Sequence, residues 1–167
     1  MRNVFLKKVV PQVLVIAVLA ASAMTVKAGT LNGTLNVNAT VQAQCLISSI
    51  TDVAFGTYTQ GSGSLNVLGA VRLNCGVGSG YSVALSGPTA TNRFMMNAAL
   101  DQLQYQLFSD AGRSAVWGST SGTDTVDGVG TGAAEPLTIY ATLFDNTANR
   151  AKPSGAYNAV VNITVTY

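Results

Sequence analysis

The chain has 167 residues, 48% hydrophobic and only 10% charged, with nine Lys or Arg, seven Asp or Glu and no histidine. The absence of histidine removes the usual general base, the Ser-His-Asp arrangement and the commonest metal ligand. Four of the nine basic residues (Arg2, Lys7, Lys8 and Lys27) precede Gly29, which leaves five basic against seven acidic side chains, about −2, and no basic patch for nucleic acid or anionic lipid.

Residues 1–28 read as a secretory signal: Arg2, Lys7 and Lys8, then a mainly apolar run from Val9 to Met24, then small residues before a cleavage site after Ala28. The remainder, about 139 residues, suffices for one domain with its own core. The stretch from Thr30 to Cys45 alternates strictly. Leu31, Gly33, Leu35, Val37, Ala39, Val41, Ala43 and Cys45 are apolar or small, and Asn32, Thr34, Asn36, Asn38, Thr40, Gln42 and Gln44 are polar. A period of two predicts a half-buried strand, here about 50 Å long, well beyond a typical strand. Such a strand at a free terminus either closes its own domain or reaches into another one.

Further strands are expected at Leu46–Ile50, Leu65–Cys75, Tyr81–Ser86, Gln102–Phe108, Leu137–Leu143 and Tyr157–Tyr167, with a short return strand at Ala115–Trp117. Thr89–Asp101 is ambiguous between strand and helical turn, and the Gly/Ser/Thr/Asp tract Gly118–Ala134 reads as a mobile loop. No segment sustains a helical period. Short strands at this spacing predict an all-β, immunoglobulin-like sandwich. Cys45 and Cys75, both on the apolar side of their strands in an exported chain, are expected to pair. Their loop of about 31 residues is nominally worth about 3.5 kcal/mol in the chain-entropy model.

Chemistry-bearing constellations are sparse. Asp124, Asp127 and Glu135 are the candidates for a carboxylate pair or a weak calcium site, but they lie in the glycine-rich tract and lack the spacing of a calcium loop. Gly128, Gly130 and Gly132 superficially match a phosphate loop without its strand, helix or lysine. Trp117 is either core packing or a sugar-stacking platform. The residues point to no enzyme, no metal and no cofactor.

Asp52–Tyr58, Tyr81–Pro88, Leu103–Asp110, Val116–Gly118 and the ending from Gly155 to Tyr167, taken in order with the two cysteines, resemble the spore coat protein U-like domain found in subunits of archaic (Csu-type) chaperone–usher pili. The likeness covers essentially the whole chain after the signal. It implies a donor-strand extension over residues 29–44 and a pilin domain over 45–167. The domain would be an incomplete immunoglobulin-like sandwich that lacks its last strand and is completed by donor-strand exchange.

Carried onto this sequence, the resemblance makes Leu31, Gly33, Leu35, Val37, Ala39 and Val41 the donor side chains. It makes Tyr157, Ala159, Val161, Ile163 and Val165 part of the acceptor groove, with the terminal Tyr167 carboxylate anchored to the chaperone. The implied partners are a periplasmic chaperone, an outer-membrane usher and neighbouring pilin subunits. The implied location is a surface fimbria, reached through the periplasm and used in attachment and biofilm formation. A spore or cell-coat structural protein with the same domain and a secreted binding module are the alternatives.

Overall fold

A computed structural model describes residues 27–87 and 93–167. The expected export signal lies almost wholly outside them, as do Pro88 and residues 89–92 of the ambiguous stretch. The chain divides into two units, Met1–Ala39 and Thr40–Tyr167. In the first, residues 27–39 are exposed and carry no regular secondary structure, and residues 40–44 of the second are alike in both respects. The strand expected from Thr30 therefore begins only at Cys45. A strand exists by virtue of its ladder, and the alternating stretch has no ladder partner among the described residues.

The second unit is a two-sheet antiparallel sandwich. One sheet has the order β1-β2-β7-β5-β4, built from β1 (Cys45–Thr51), β2 (Leu65–Cys75), β7 (Ala134–Leu143), β5 (Gln102–Phe108) and β4 (Arg93–Met96). The other has the order β6-β3-β8, built from β6 (Val126–Val129), β3 (Gly80–Leu85) and β8 (Ile163–Thr166). Alternation explains the core. In β2, Val71, Leu73 and Cys75 are buried while Arg72 and Asn74 are exposed, and in β7, Ile139, Ala141 and Leu143 point inward opposite Gly69, Val67 and Leu65. Tyr81, Val83 and Leu85 of β3 close the core from the facing sheet.

Cys45 and Cys75 are direct partners in the β1–β2 register, with Cα atoms 4.1 Å apart, and are joined by a disulfide. Trp117 is a core residue. It is 1% exposed, and its indole N–H donates to the Val83 carbonyl at 2.9 Å. Arg93, fully buried at the start of β4, donates to the carbonyls of Leu85 (2.7 Å), Ser86 (3.0 Å) and Trp117 (2.9 Å), so main-chain acceptors hold a charged end in the core.

One ambiguity resolves and two expectations need correction. Of the stretch left open between strand and helical turn, Arg93–Met96 form the strand β4. The connection after β7 contains a one-turn helix, α1 (Thr147–Arg150), whose cap residue Asn146 accepts from the Asn149 N–H at 2.9 Å. The tract read as a mobile loop is structured: Asp124 ties a turn back to Thr120 and Gly118, and β6 pairs with β3.

The tract has few apolar residues because its glycines make room for neighbours' side chains. A Cβ on Gly128 would overlap the Tyr81 ring. One on Gly130 would fall 2.6 Å from both the Cβ and the carbonyl oxygen of Cys75, with the Gly76 carbonyl closer still. Gly130 is also held on both sides, donating to Ser79 and accepting from Gly78. Gly130→Ala is expected to lower stability by about 1–3 kcal/mol in urea unfolding, because the clashing atoms are backbone and disulfide-linked. A neutral result would refute this packing.

Candidate functional site

The sandwich leaves one long groove open. After β1 the chain runs on through residues 52–59 without joining a strand. Before β8 it arrives through residues 152–162, which form no strand and meet their neighbours at the Asn158–Met96 bridge, at the Lys152 carbonyl, which accepts from Gln60, and at the Asn162 carbonyl, which accepts from Ser86. Between these two segments lies a cavity of about 1460 Å³. Its floor is apolar, formed by Leu85, Leu103, Tyr105, Leu107, Ile139 and Leu143 from both sheets. Its walls carry the half-buried side chains Val53, Phe55, Tyr157, Val161 and Ile163, and Phe55 meets Tyr105 edge-on at 6.1 Å. Residues 53–58 and 159–161 thus border an apolar trough with main-chain groups that have no ladder partner. A trough of this kind is a site for an extended strand, whose backbone would pair with the walls while alternate side chains fill the floor.

One end of the groove is tied shut. Asp145, its side chain 2% exposed, accepts from the Tyr58 hydroxyl (2.6 Å), from the N–H groups of Gly61 (3.0 Å) and Gly63 (2.8 Å), and from both Nε and Nη2 of Arg150 at 2.9 Å. The Arg150 guanidinium, with Tyr58 after it, holds the Asp145 carboxyl far below the usual carboxylate range. Burial, reinforced by the Asp145 carboxylate, pushes the Tyr58 hydroxyl up to about 12. Gln60 completes the closure by donating to the Lys152 carbonyl at 2.7 Å.

Of the residues expected to line an acceptor site, Tyr157, Ala159, Val161 and Ile163 border the groove. Val165 lies beyond it, paired with Val83 and packed on the core, and Tyr167 is 59% exposed past the end of β8. The strand expected over Tyr157–Tyr167 shrinks to β8, because residues 157–161 border the groove, with a single bridge from Asn158 to Met96 of β4. The expected donor residues are all exposed: Leu31 at 101%, Leu35 at 87%, Val37 at 84% and Val41 at 95%, with Gly33 and Ala39 in the same class.

Sequence reasoning assigned no role to the first wall, Asp52–Thr59, although Val53 and Phe55 continue a period of two. It also missed the floor, which is assembled from three strands, and the Asp145 tie, whose partners Tyr58, Gly61 and Gly63 lie 82 to 87 residues away in sequence. Among the described residues no group of three metal-ligating side chains comes together.

The model of the Spore Coat Protein U domain family matches residues 31–164. No curated protein matches the sequence. Among solved structures, the chain is similar to one in the CsuC–CsuE chaperone–tip adhesion subunit pre-assembly complex from the archaic chaperone–usher Csu pili of Acinetobacter baumannii. Identity is 22% and the TM-score 0.54, over 77% of this chain and 41% of that one. It is also similar to a chain in the structure of a chaperone–usher pilus, at 19% identity and TM-score 0.53, over 87% of this chain and 99% of that one. The chain thus spans less than half the length of the first of these and nearly all of the second, and with both it shares the fold.

Proposed function

Because the chain belongs to the Spore Coat Protein U domain family, we propose that it is a structural pilin subunit, which polymerises when the extension of one copy fills the open groove of the next. The observation that carries this reading is the pairing of two incomplete surfaces in one chain. One is an apolar trough with unpaired walls, the other an exposed segment that alternates with the period of a strand. Leu31, Leu35, Val37 and Val41, if fully buried, are worth about 1.5–3 kcal/mol each, before the cost of ordering them.

Reach favours insertion between chains. From Val41 to Cys45 the backbone spans at most about 14 Å. The groove starts near Ile50, which faces Val71, four ladder steps from the Cys45–Cys75 pair and thus about 13 Å from Cys45. Cys45 is fixed by its disulfide, and a reversing turn would consume part of the short link, which disfavours entry of Val41 into its own groove.

Completion by strand addition accounts for the other roles. A periplasmic chaperone would shield the groove during export, an outer-membrane usher would exchange it for the next subunit's extension, and the product would be a surface fimbria serving attachment and biofilm formation. The subunit would act structurally and not as an enzyme. The test is a synthetic peptide of residues 30–44 added to the full chain carrying Leu35→Asp and Val37→Asp, whose own extension is disabled. A large rise in melting temperature is expected, whereas a melting curve that ignores the peptide would overturn the reading.

A further inference from the structure

The groove has one closed end and one open end. The walls run in opposite chain directions, 52 to 60 and 152 to 163, so that residue 60 meets residue 152 where Asp145 gathers Tyr58, Gly61, Gly63 and Arg150 and where Gln60 bonds Lys152. Asp145 also donates its N–H to the Ser64 hydroxyl at 3.0 Å. At the other end, among the described residues, no hydrogen bond joins residues 50–56 to residues 159–165.

The donor stretch has a matching ambiguity. Apolar or small residues fill every second position from Leu31 to Ala43, so a slip of two residues keeps the same face inward and the same backbone pairing. Alternation excludes odd slips and separates even ones by side-chain size alone. A register must therefore be set by something other than the pattern.

We propose that the Tyr58–Asp145–Arg150 tie, with Gln60, is an end stop that fixes the register of the inserted strand. Asp145 and its partners are positioning residues. They hold the two walls together at the closed end, and the leading end of the incoming segment abuts Tyr58 and Gln60, the members of the tie that line the groove. This inference rests on the groove being a strand acceptor, and its test separates the two ideas.

In the Leu35→Asp, Val37→Asp chain, a peptide of residues 30–44 with photo-leucine in place of Leu35 is cross-linked and the sites are mapped by mass spectrometry. With the tie intact, one cluster of groove residues is expected. With Asp145→Ala, the cross-links are expected to spread to positions two residues away along the walls. The pair Tyr58→Phe and Gln60→Ala, which leaves the Asp145–Arg150 ion pair in place, decides the matter if Asp145→Ala does not fold. A single, unchanged cross-link site in the variants overturns the end stop while leaving the acceptor groove standing. No cross-link to the groove in the chain with an intact tie overturns both.

Discussion

The full chain carrying Leu35→Asp and Val37→Asp is expected to stay monomeric under conditions in which the unchanged chain forms polymers, with its melting temperature as a monomer unaltered. The two halves of this result come from different physics. In the free chain Leu35 and Val37 are 87% and 84% exposed, so replacing them removes no core contact and leaves the domain as stable as before. In a filled groove they would lie on its apolar floor, where losing their burial alone forfeits about 3–6 kcal/mol. That corresponds to about 10²–10⁴ in affinity, and two carboxylates facing an apolar floor raise the loss further.

Size-exclusion chromatography and electron microscopy of the two chains, with melting curves of their monomers, measure both halves. Polymers of unchanged length from the double variant would exclude residues 31–41 as the donor. A matching fall in the monomer's melting temperature would mean that these side chains pack at home.

Much of the sandwich was legible because its strands announce themselves by a period of two with turn residues between them. Leu65–Cys75 and Gln102–Phe108 form strands over the expected residues. Failures fall where a strand's own side chains are not what buries it. β6 contains Asp127 and Gly128 and is invisible to a search for apolar alternation, since its place depends on the Tyr81 ring lying over Gly128. The opposite failure occurs at both termini. Leu31–Val41 and Tyr157–Val161 have the alternation of strands, yet neither is one in the isolated chain. On the proposed function, their pattern suits a partner that a single copy does not supply. The end tie was illegible for another reason: a lone Asp followed five residues later by an Arg is an ordinary surface pair, and only the fold brings Tyr58, Gly61 and Gly63 to it.

Replacing Cys45 and Cys75 by serine is expected to lower the domain's stability by about 3.5 kcal/mol, the loop-closure term for two residues 30 apart in sequence. Urea unfolding of the double variant, and of the unchanged chain under reductant, should shift alike. The structure adds a local consequence. Among the described residues β1 is an edge strand whose only ladder is with β2, and of its seven residues only Cys45 is buried. Without the bridge, β1 is held by hydrogen bonds to one neighbour and frays from its first residue. Fraying lengthens the link between Val41 and the groove, and on the proposed function a short link disfavours insertion of the donor stretch into its own domain. The serine variant is therefore expected to form shorter polymers and a larger share of self-closed monomers that no longer respond to the peptide of residues 30–44. A variant that loses the expected stability but polymerises as before would show that the reach of the extension is limited by something other than the disulfide at its root.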